Sequence, residues 1–349
     1  MTSPFTFTLP DELAAVEPPE SRGVPRDQVR LMVIDRTTFA VKHSRFDHIG
    51  DFLQSGDLLV FNASRTLPAS LAGCEKPQGP CLEVRLAEHL ADGDWLALLV
   101  CQGGEPFACG LRAGMKIQFG EGLMATVGNR DELIPRLWRL RFSQAGSALI
   151  DTLYRIGQPI RYEYAAAAWD LDYYQTVYAR EPGSAEMPSA GRAITWKLLF
   201  DLKKHGIGTA QILLHTGLSS YMDDDLDKLH LASEEEYLIS EAEAQKINRT
   251  RERGGRVIAV GTTVVRALET VADAHGRIAC GHGYTRLRIT ADHNLRAVDG
   301  LLTGLHEPEA SHLDLLTALL PAERIRSAYA EAIERRYLWH EFGDLNLIV

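Results

Sequence analysis

Polar residues that can bind or activate a substrate follow directly after four apolar stretches of the chain. These residues are, in chain order, Asn62 and Arg65; His215 and Gly217; Gly261, Thr262, Thr263 and Arg266; and His306 and Glu309. Histidine loses its proton near neutral pH, so His215 and His306 are the candidate general bases. A helix predicted to begin beside Gly261, capped by one of the two threonines, presents free N–H groups that can hold a carboxylate, a phosphate or sugar hydroxyls.

The four apolar stretches predict buried strands. They are short and almost continuously apolar, as strands covered on both faces are, and they span residues 58–61, 210–214, 256–260 and 301–305. In folds with parallel strands and helices, the carboxyl ends of the strands meet at one edge, and that edge holds the site. One histidine after one strand is most often structural, but four such strand ends favour a shared site.

The pattern changes between residues 70 and 150. Residues 115–119 and 136–142 alternate apolar and polar side chains, and glycine and proline are frequent around them. Such runs predict short antiparallel strands, which form a small sheet or barrel inserted as its own domain. Helical and continuous apolar patterns return after Asp151. Residues 174–195 are rich in glycine, proline and serine and predict a long functional loop.

Charge and composition exclude some classes of protein. The net charge of −10 argues against a general nucleic-acid-binding surface. Arg249, Arg251, Arg253 and Arg256 nevertheless form a local cluster, which either binds phosphate or places cations favourably at a helix end. No apolar run approaches the ~18–20 residues of a membrane span, and the first residues lack the features of a signal peptide. We therefore expect a cytoplasmic protein without a membrane partner.

Several common catalytic motifs are missing from the sequence. The HExxH spacing is absent, and His306 and His312 are six residues apart with Pro308 between them, so no metal site is expected. The sequence also lacks a GxSxG elbow, a Walker loop and a GxGxxG fingerprint. Their absence weakens hydrolase, nucleotidase and dehydrogenase interpretations.

Five stretches together resemble the S-adenosylmethionine:tRNA ribosyltransferase-isomerase family of queuosine biosynthesis. They are GDLLVFNASRTLPASL (56–71), YQTVYAREPGSAEMPSAG (174–191), LLHTG (213–217), RVIAVGTTVVRALE (256–269) and HEFGDLNLIV (340–349). The resemblance covers nearly the whole chain and is weakest in residues 70–150. It implies a larger α/β-barrel-like domain, residues 1–69 and 151–349, interrupted by a smaller antiparallel β-barrel domain, residues 70–150.

The resemblance also implies a reaction. The ribosyl moiety of S-adenosylmethionine, a co-substrate, moves onto the aminomethyl group of a deazaguanine in tRNA and rearranges to give epoxyqueuosine, while adenine and methionine leave. No permanently bound cofactor takes part. His215 and His306 are then the preferred bases and Glu235 and Glu309 the alternatives. The remaining candidates would bind the donor. They are Asn62, Arg65, Gly217, Gly261, Thr262, Thr263 and Arg266, together with the loop residues Pro188, Ser189 and Gly191.

The sequence departs from the usual family pattern at two histidines. Ser189-Ala190-Gly191-Arg192-Ala193 replaces Thr-Ala-Gly-Leu-His, and Ser233 stands where a second histidine is usual. Gly304 also replaces an asparagine two residues before His306. Three alternatives therefore stay open: a paralogue that gives the same donor's ribosyl group to a different acceptor, a non-catalytic tRNA- or nucleotide-binding relative, and another S-adenosylmethionine enzyme such as a methyltransferase.

Overall fold

The computed structural model describes residues 7–75, 81–101, 110–161, 164–165, 167–222, 234–308 and 310–349. The strands in these ranges are β1 (Arg30–Ile34), β2 (Val41–Arg45), β3 (Leu58–Asn62), β4 (Ser64–Thr66), β5 (Ser70–Cys74), β6 (Cys81–His89), β7 (Trp95–Cys101), β8 (Lys116–Gln118), β9 (Met124–Arg130), β10 (Leu137–Phe142), β11 (Glu181–Ser184), β12 (Gly208–Leu214), β13 (Glu235–Ile239), β14 (Val257–Val260), β15 (Gly281–Thr285), β16 (Gly300–Gly304) and β17 (Leu345–Ile348). The α-helices are α1 (Gly146–Ile156), α2 (Trp196–Lys204), α3 (Glu241–Glu252), α4 (Thr262–Val271), α5 (Ser311–Leu316) and α6 (Ala322–Glu334).

Nine strands form one mixed sheet in the order β15-β13-β12-β3-β14-β16-β17-β1-β2. The four central strands β12, β3, β14 and β16 pair in parallel. These are the four strands that the apolar stretches predict, and their carboxyl ends lie side by side. The outer strands β13, β17 and β2 pair antiparallel with their inner neighbours.

Successive residues of a strand point to opposite sides of the sheet. Because the central strands are apolar throughout, apolar side chains cover both faces. One face carries Val60, which belongs to a core with side chains of α3, α4 and α6. The other carries Leu59 and Phe61, which pack with side chains of α2 and of the 3₁₀-helix Phe46–Phe52. Burial on both faces explains why these strands are apolar without alternation.

The inserted region forms a closed antiparallel barrel in the order β10-β7-β6-β5-β8-β9. In β8 the buried Ile117 lies between the exposed Lys116 and Gln118, as the period-2 run at residues 115–119 predicts. The fold class predicted above, a larger α/β-barrel-like domain interrupted by a smaller antiparallel β-barrel, is confirmed: a large α/β sheet carries the closed six-stranded barrel.

The boundaries at residues 70 and 150 stay a prediction. Helix α1 runs across residue 150, and its Leu149 and Leu153 belong to the barrel core. Residues 174–195 are more regular than a loop composition suggests. Strand β11 pairs in parallel with β4 to form a separate two-stranded sheet, and this pairing fixes the segment against the end of β3.

Candidate active site

The carboxyl ends of β12, β3, β14 and β16 form the edge at which the predicted site residues are found. His215 follows β12, and His306 follows β16. Three inter-strand intervals of ~4.8 Å separate these two strands, so their ends are about 14 Å apart. The two histidines therefore occupy opposite ends of one row of strand ends, with β3 and β14 between them.

His215 is held by two serines from the neighbouring strands. Its Nδ1 lies 2.7 Å from the Ser64 Oγ, which lies 2.6 Å from the Ser184 Oγ. The Ser184 Oγ accepts a hydrogen bond from the Thr216 backbone N–H, and His215 N–H donates to the Glu236 carbonyl at 2.9 Å. When Nδ1–H donates to Ser64, the ring has the tautomer with an unprotonated Nε2. That nitrogen has no partner in the described ranges and is free to accept a proton.

Burial lowers the pKa of His215, and the charge of His89 acts in the same direction, while Glu236 opposes both. The ring is therefore neutral at neutral pH, as a general base must be. Glycine is needed behind it, because a Cβ on Gly183 would lie 2.3 Å from the ring Nδ1. Tight packing on this side leaves Nε2 as the reactive nitrogen.

The inserted barrel packs directly against this strand end. A Cβ on Gly217 would lie 3.0 Å from the Ala87 carbonyl oxygen of β6. The β6–β7 register shifts between Leu86 and Glu88, which marks a β-bulge, and bulges are frequent beside active sites because they redirect side chains. Gly217 is thus needed for close approach of the barrel.

Glu88 is a candidate functional residue that the sequence analysis missed. Burial raises its pKa to about 8, assisted by the negative charges of Glu234, Asp131 and Glu235 and opposed by Arg286. At neutral pH this carboxyl group carries a proton that it can donate. In the sequence, the alternation of apolar and polar side chains breaks at Leu86-Ala87, and this break indicates a bulge. It does not show which residues pack against the bulge.

Glu235 and Arg266 form an ion pair that joins the start of β13 to α4, each side chain being 12% exposed. Arg266 Nε also donates to the Leu287 carbonyl at 3.0 Å. Burial raises the pKa of Glu235, although the Arg266 charge opposes the shift. Arg266 is consequently engaged in holding Glu235, and it is not a free cation for a substrate.

The start of α4 is where the sequence predicts an anion seat. Gly261, with φ of 97°, precedes the first helical residue Thr262 and donates its N–H to the Leu302 carbonyl at 2.8 Å. The prediction that Thr262 or Thr263 caps the helix is wrong, because Gly261 occupies the cap position and no side chain caps it. The N–H groups of both threonines lie in the first turn, where the helix supplies no acceptor.

Asn62 has a different use from the predicted one. Its Nδ2 donates to the Leu214 carbonyl at 2.7 Å, and its Oδ1 accepts from the N–H groups of Leu214 and Ser64. Both polar atoms of the amide bind backbone groups and fix the ends of β3 and β12, so it positions His215. Arg65 is exposed and lies over the Tyr154 ring, with 5.4 Å between Cζ and the ring centroid.

The loop with Pro188, Ser189 and Gly191 lies against the ends of β14 and β16. A short 3₁₀-helix spans Ser189–Gly191. A Cβ on Gly191 would come within 1.8 Å of the Tyr178 hydroxyl, so only glycine fits there, and a Cβ on Gly261 would lie 3.7 Å from the Ala190 Cβ. The loop therefore approaches the start of α4, as a shared donor pocket requires.

His306 is engaged by neighbouring side chains at the other end of the row. Its Nε2 lies 2.9 Å from the Thr303 Oγ1, its ring stacks on His312 with centroids 4.7 Å apart, and its carbonyl accepts from the Trp339 Nε1 at 3.1 Å. Burial lowers its pKa well below the ordinary value, and the charge of His312 adds to this effect. Glu309 lies outside the described residues.

The predicted arginine cluster lies at the opposite edge of the sheet. Arg251 donates to the Ala297 carbonyl at 3.0 Å, and Arg256 pairs with the buried Asp57 at 2.6 Å. Arg249 and Arg253 instead line a cavity of about 470 Å³ beside the first residues of β3 and β12. Two of the four cations are thus tied to the protein, and two face a cavity.

Two further searches concern only the described part of the chain. No group of three or more His, Cys, Asp or Glu side chains there could hold a metal ion. None of the helices described above is both long and apolar enough to cross a membrane.

Known proteins resemble this chain along its whole length. The family described as "Queuosine biosynthesis protein" matches residues 2–348. The S-adenosylmethionine:tRNA ribosyltransferase-isomerases of Heliobacterium modesticaldum and Symbiobacterium thermophilum are 37% and 38% identical, over 99% of this chain and 98% and 99% of their own. The crystal structure of S-adenosylmethionine tRNA ribosyltransferase from Thermotoga maritima is 31% identical, with a TM-score of 0.55 and 99% of both chains covered.

Proposed function

Because this chain belongs to the queuosine biosynthesis protein family, we propose that it transfers the ribosyl moiety of S-adenosylmethionine to tRNA and isomerises it. The acceptor is the aminomethyl group of a tRNA deazaguanine, and the products are epoxyqueuosine, adenine and methionine. Relatives that match over the whole chain carry the name of this activity. The observation in the site that supports it best is a neutral histidine with a free nitrogen at the edge where the strand ends meet.

His215 is the proposed general base. The sulfonium of the donor acidifies the protons on the ribose 5′ carbon, and Nε2 takes one of them. The electron pair left on that carbon opens the sugar and expels adenine. The acceptor amine then attacks, and methionine leaves with the sulfur electron pair. Ser64 supports this role because its Oγ lies 2.7 Å from Nδ1, and the base requires the tautomer in which Nδ1–H donates to that oxygen.

The start of α4 is the proposed seat of the methionine carboxylate or the ribose hydroxyls. The first helical N–H groups, those of Thr262 and Thr263, face the same edge as His215, and the positive end of the helix dipole favours an anion there. The Ser189–Gly191 turn closes the pocket from the side. Glu235, held by Arg266, is the proposed second acid–base group.

The tRNA is proposed to contact Arg249 and Arg253. Both line the 470 Å³ cavity with Lys246, and both lie at the end of α3 that is opposite to the His215 edge. A strand of five residues is about 17 Å long, so a nucleic acid of the width of an RNA helix reaches from one edge to the other. The reaction on tRNA leads us to propose the cytoplasm as its location.

The function is tested by incubating the protein with S-adenosylmethionine and a tRNA that carries the aminomethyl-deazaguanine. Mass spectrometry should detect adenine, methionine and epoxyqueuosine in equal amounts. S-adenosylhomocysteine in their place would indicate a methyltransferase. Adenine release with the free deazaguanine base, and none with tRNA, would indicate a paralogue with another acceptor. Donor binding without any product would indicate a binding protein.

A further inference from the structure

A small cavity beside the end of β16 contains a carboxyl group that nothing in the proposed mechanism uses. The cavity holds about 10 Å³, which is room for roughly one water-sized group. Its lining includes Gly304 and the polar residues Arg26, Ser189, Arg192, His340 and Glu341. The last strand residue Gly304 and the turn residue Ser189 place it at the same edge as the start of α4.

Glu341 is the unusual member of this lining. Its Oε2 is shielded from solvent and has no hydrogen-bond partner in the described structure. Burial raises the pKa of Glu341 to about 7, with only a hydrogen bond from its own backbone opposing the shift. A buried carboxylate without a partner is costly, because it has lost its water and gained nothing in exchange. A ligand that carries a positive charge would remove that cost.

The other charged groups of the cavity are already paired. Arg192 Nη2 and Arg26 Nε donate to the two oxygens of Glu20, at 2.8 and 2.9 Å. His340 Nδ1 lies 3.3 Å from the Glu307 carboxylate. None of these cations offsets the burial of Glu341, so its carboxylate is the one charge in this described lining that awaits a partner.

The backbone before Glu341 is held in an uncommon conformation. His340 has φ of 71°, in the left-handed region that residues other than glycine seldom adopt. Its ring stacks on Tyr164 with 4.0 Å between centroids, and its carbonyl accepts from the Gly343 N–H at 3.0 Å. This turn directs the next side chain, that of Glu341, into the cavity. Such local strain is characteristic of functional sites.

We propose that the Glu341 cavity is a subsite for one primary ammonium group of a substrate, which Glu341 Oε2 binds directly. The inference rests on the proposed function, whose two substrates each carry an amine: the methionine part of the donor and the aminomethyl group of the acceptor. The cavity lining also includes four positions at which this chain departs from its family pattern: Ser189, Arg192, Ala193 and Gly304. The departures thus lie where substrate selection would be changed.

The test compares Glu341→Gln with the exposed control Glu334→Gln by calorimetric titration at pH 7.5. If the donor's ammonium occupies the cavity, Glu341→Gln weakens S-adenosylmethionine binding by ~10-fold or more, as expected for loss of a charge-assisted hydrogen bond. A donor analogue without the amino group should bind both variants and the wild type equally. If the acceptor's amine occupies it, donor binding is unchanged, and the KM for the aminomethyl-deazaguanine tRNA rises by a similar factor.

A second variant tests the cavity without changing its charge. A Cβ on Gly304 would meet nothing within 4 Å, so Gly304→Val should fold normally and weaken binding of the same substrate.

Binding to the wild type near pH 7 should also release a proton, which binding to Glu341→Gln does not. The proton release is measured from the difference in binding heat between two buffers of different ionisation heat. Unchanged affinity for both substrates in both folded variants would overturn the subsite. Adenine release by the wild type, measured separately, decides the proposed function.

Discussion

The two outer strands of the parallel row, β12 and β16, are each followed by a histidine, but the surroundings of the two histidines differ. His215 and His306 each follow a buried parallel strand, and each has a neighbouring hydroxyl within 2.9 Å. At His215, however, Ser64 contacts Nδ1, and Nε2 has no hydrogen-bond partner among the described residues. At His306, Thr303 contacts Nε2, and His312 covers one face of the ring. The first arrangement presents a nitrogen to a substrate, and the second engages it within the protein.

The electrostatic environments differ in the same sense. Burial lowers the pKa of both rings, but among the described residues the carboxylates of Glu236 and Glu181 favour the protonated form that His215 must reach during proton transfer. At His306 the neighbouring His312 disfavours that form further. We therefore propose His215 as the base and a structural role for His306, and each of the following predictions tests this difference.

The largest effect is expected for His215→Ala. Loss of a general base typically lowers turnover by ~100- to 10,000-fold, and the ring is bound to hydroxyls rather than to a large apolar core, so the variant should fold. Adenine release is measured beside thermal unfolding.

His306→Ala is the matched control for this experiment. It should retain turnover within ~10-fold and lose about 1–3 kcal/mol of unfolding free energy, because it leaves the Thr303 hydroxyl and a stacked ring without their partner. A collapse of turnover in folded His306→Ala, with near-normal turnover in His215→Ala, would reverse the assignment.

A smaller effect is expected for the hydroxyl partners. Ser64→Ala should lower turnover by ~10- to 100-fold, because the Nδ1 proton loses its acceptor and the wrong tautomer becomes accessible. Thr303→Val, which removes the equivalent hydroxyl from His306, should leave turnover almost unchanged. Ser64→Thr keeps the hydroxyl and should restore much of the rate. Equal losses in Ser64→Ala and Thr303→Val would mean that neither hydroxyl positions a base.

The sequence predicts the four central parallel strands well for a physical reason. Strands buried on both faces must be apolar throughout, so the runs ending before Asn62, His215, Gly261 and near His306 are visible in the sequence. The period-2 pattern identifies the inserted barrel in the same way. The role of Asn62 was not visible, because its amide is taken up by the backbone of a strand about 150 residues away.

Residues outside these patterns could not be found from the sequence. Glu88 and Glu341 each gain a raised pKa from burial by distant segments, and no local spacing records such burial. Likewise, Arg251 and Arg256 look like free cations in sequence, yet their partners Ala297 and Asp57 come from other elements. The chemistry of a single ionisable residue thus depends on tertiary contacts more than the strand pattern does.

The smallest effect concerns stability at mildly acidic pH. Both histidines have a pKa lowered by burial, and that of His306 is lowered further. Above pH ~6.5 each is neutral in the folded and the unfolded chain and contributes no pH dependence. Below that pH the unfolded histidine binds a proton that the buried one refuses, so stability falls as pH falls, by at most about 1.4 kcal/mol per pH unit for each residue. This loss stops once the pH is below the folded-state pKa, and for His306 that point lies at a lower pH.

Urea unfolding between pH 7.5 and 5 should therefore show a flatter pH dependence of the unfolding free energy in His306→Gln than in His215→Gln. The same slope in both variants would show that the two rings are equally accessible to protons, and the distinction between the two strand ends would then rest on hydrogen bonding alone.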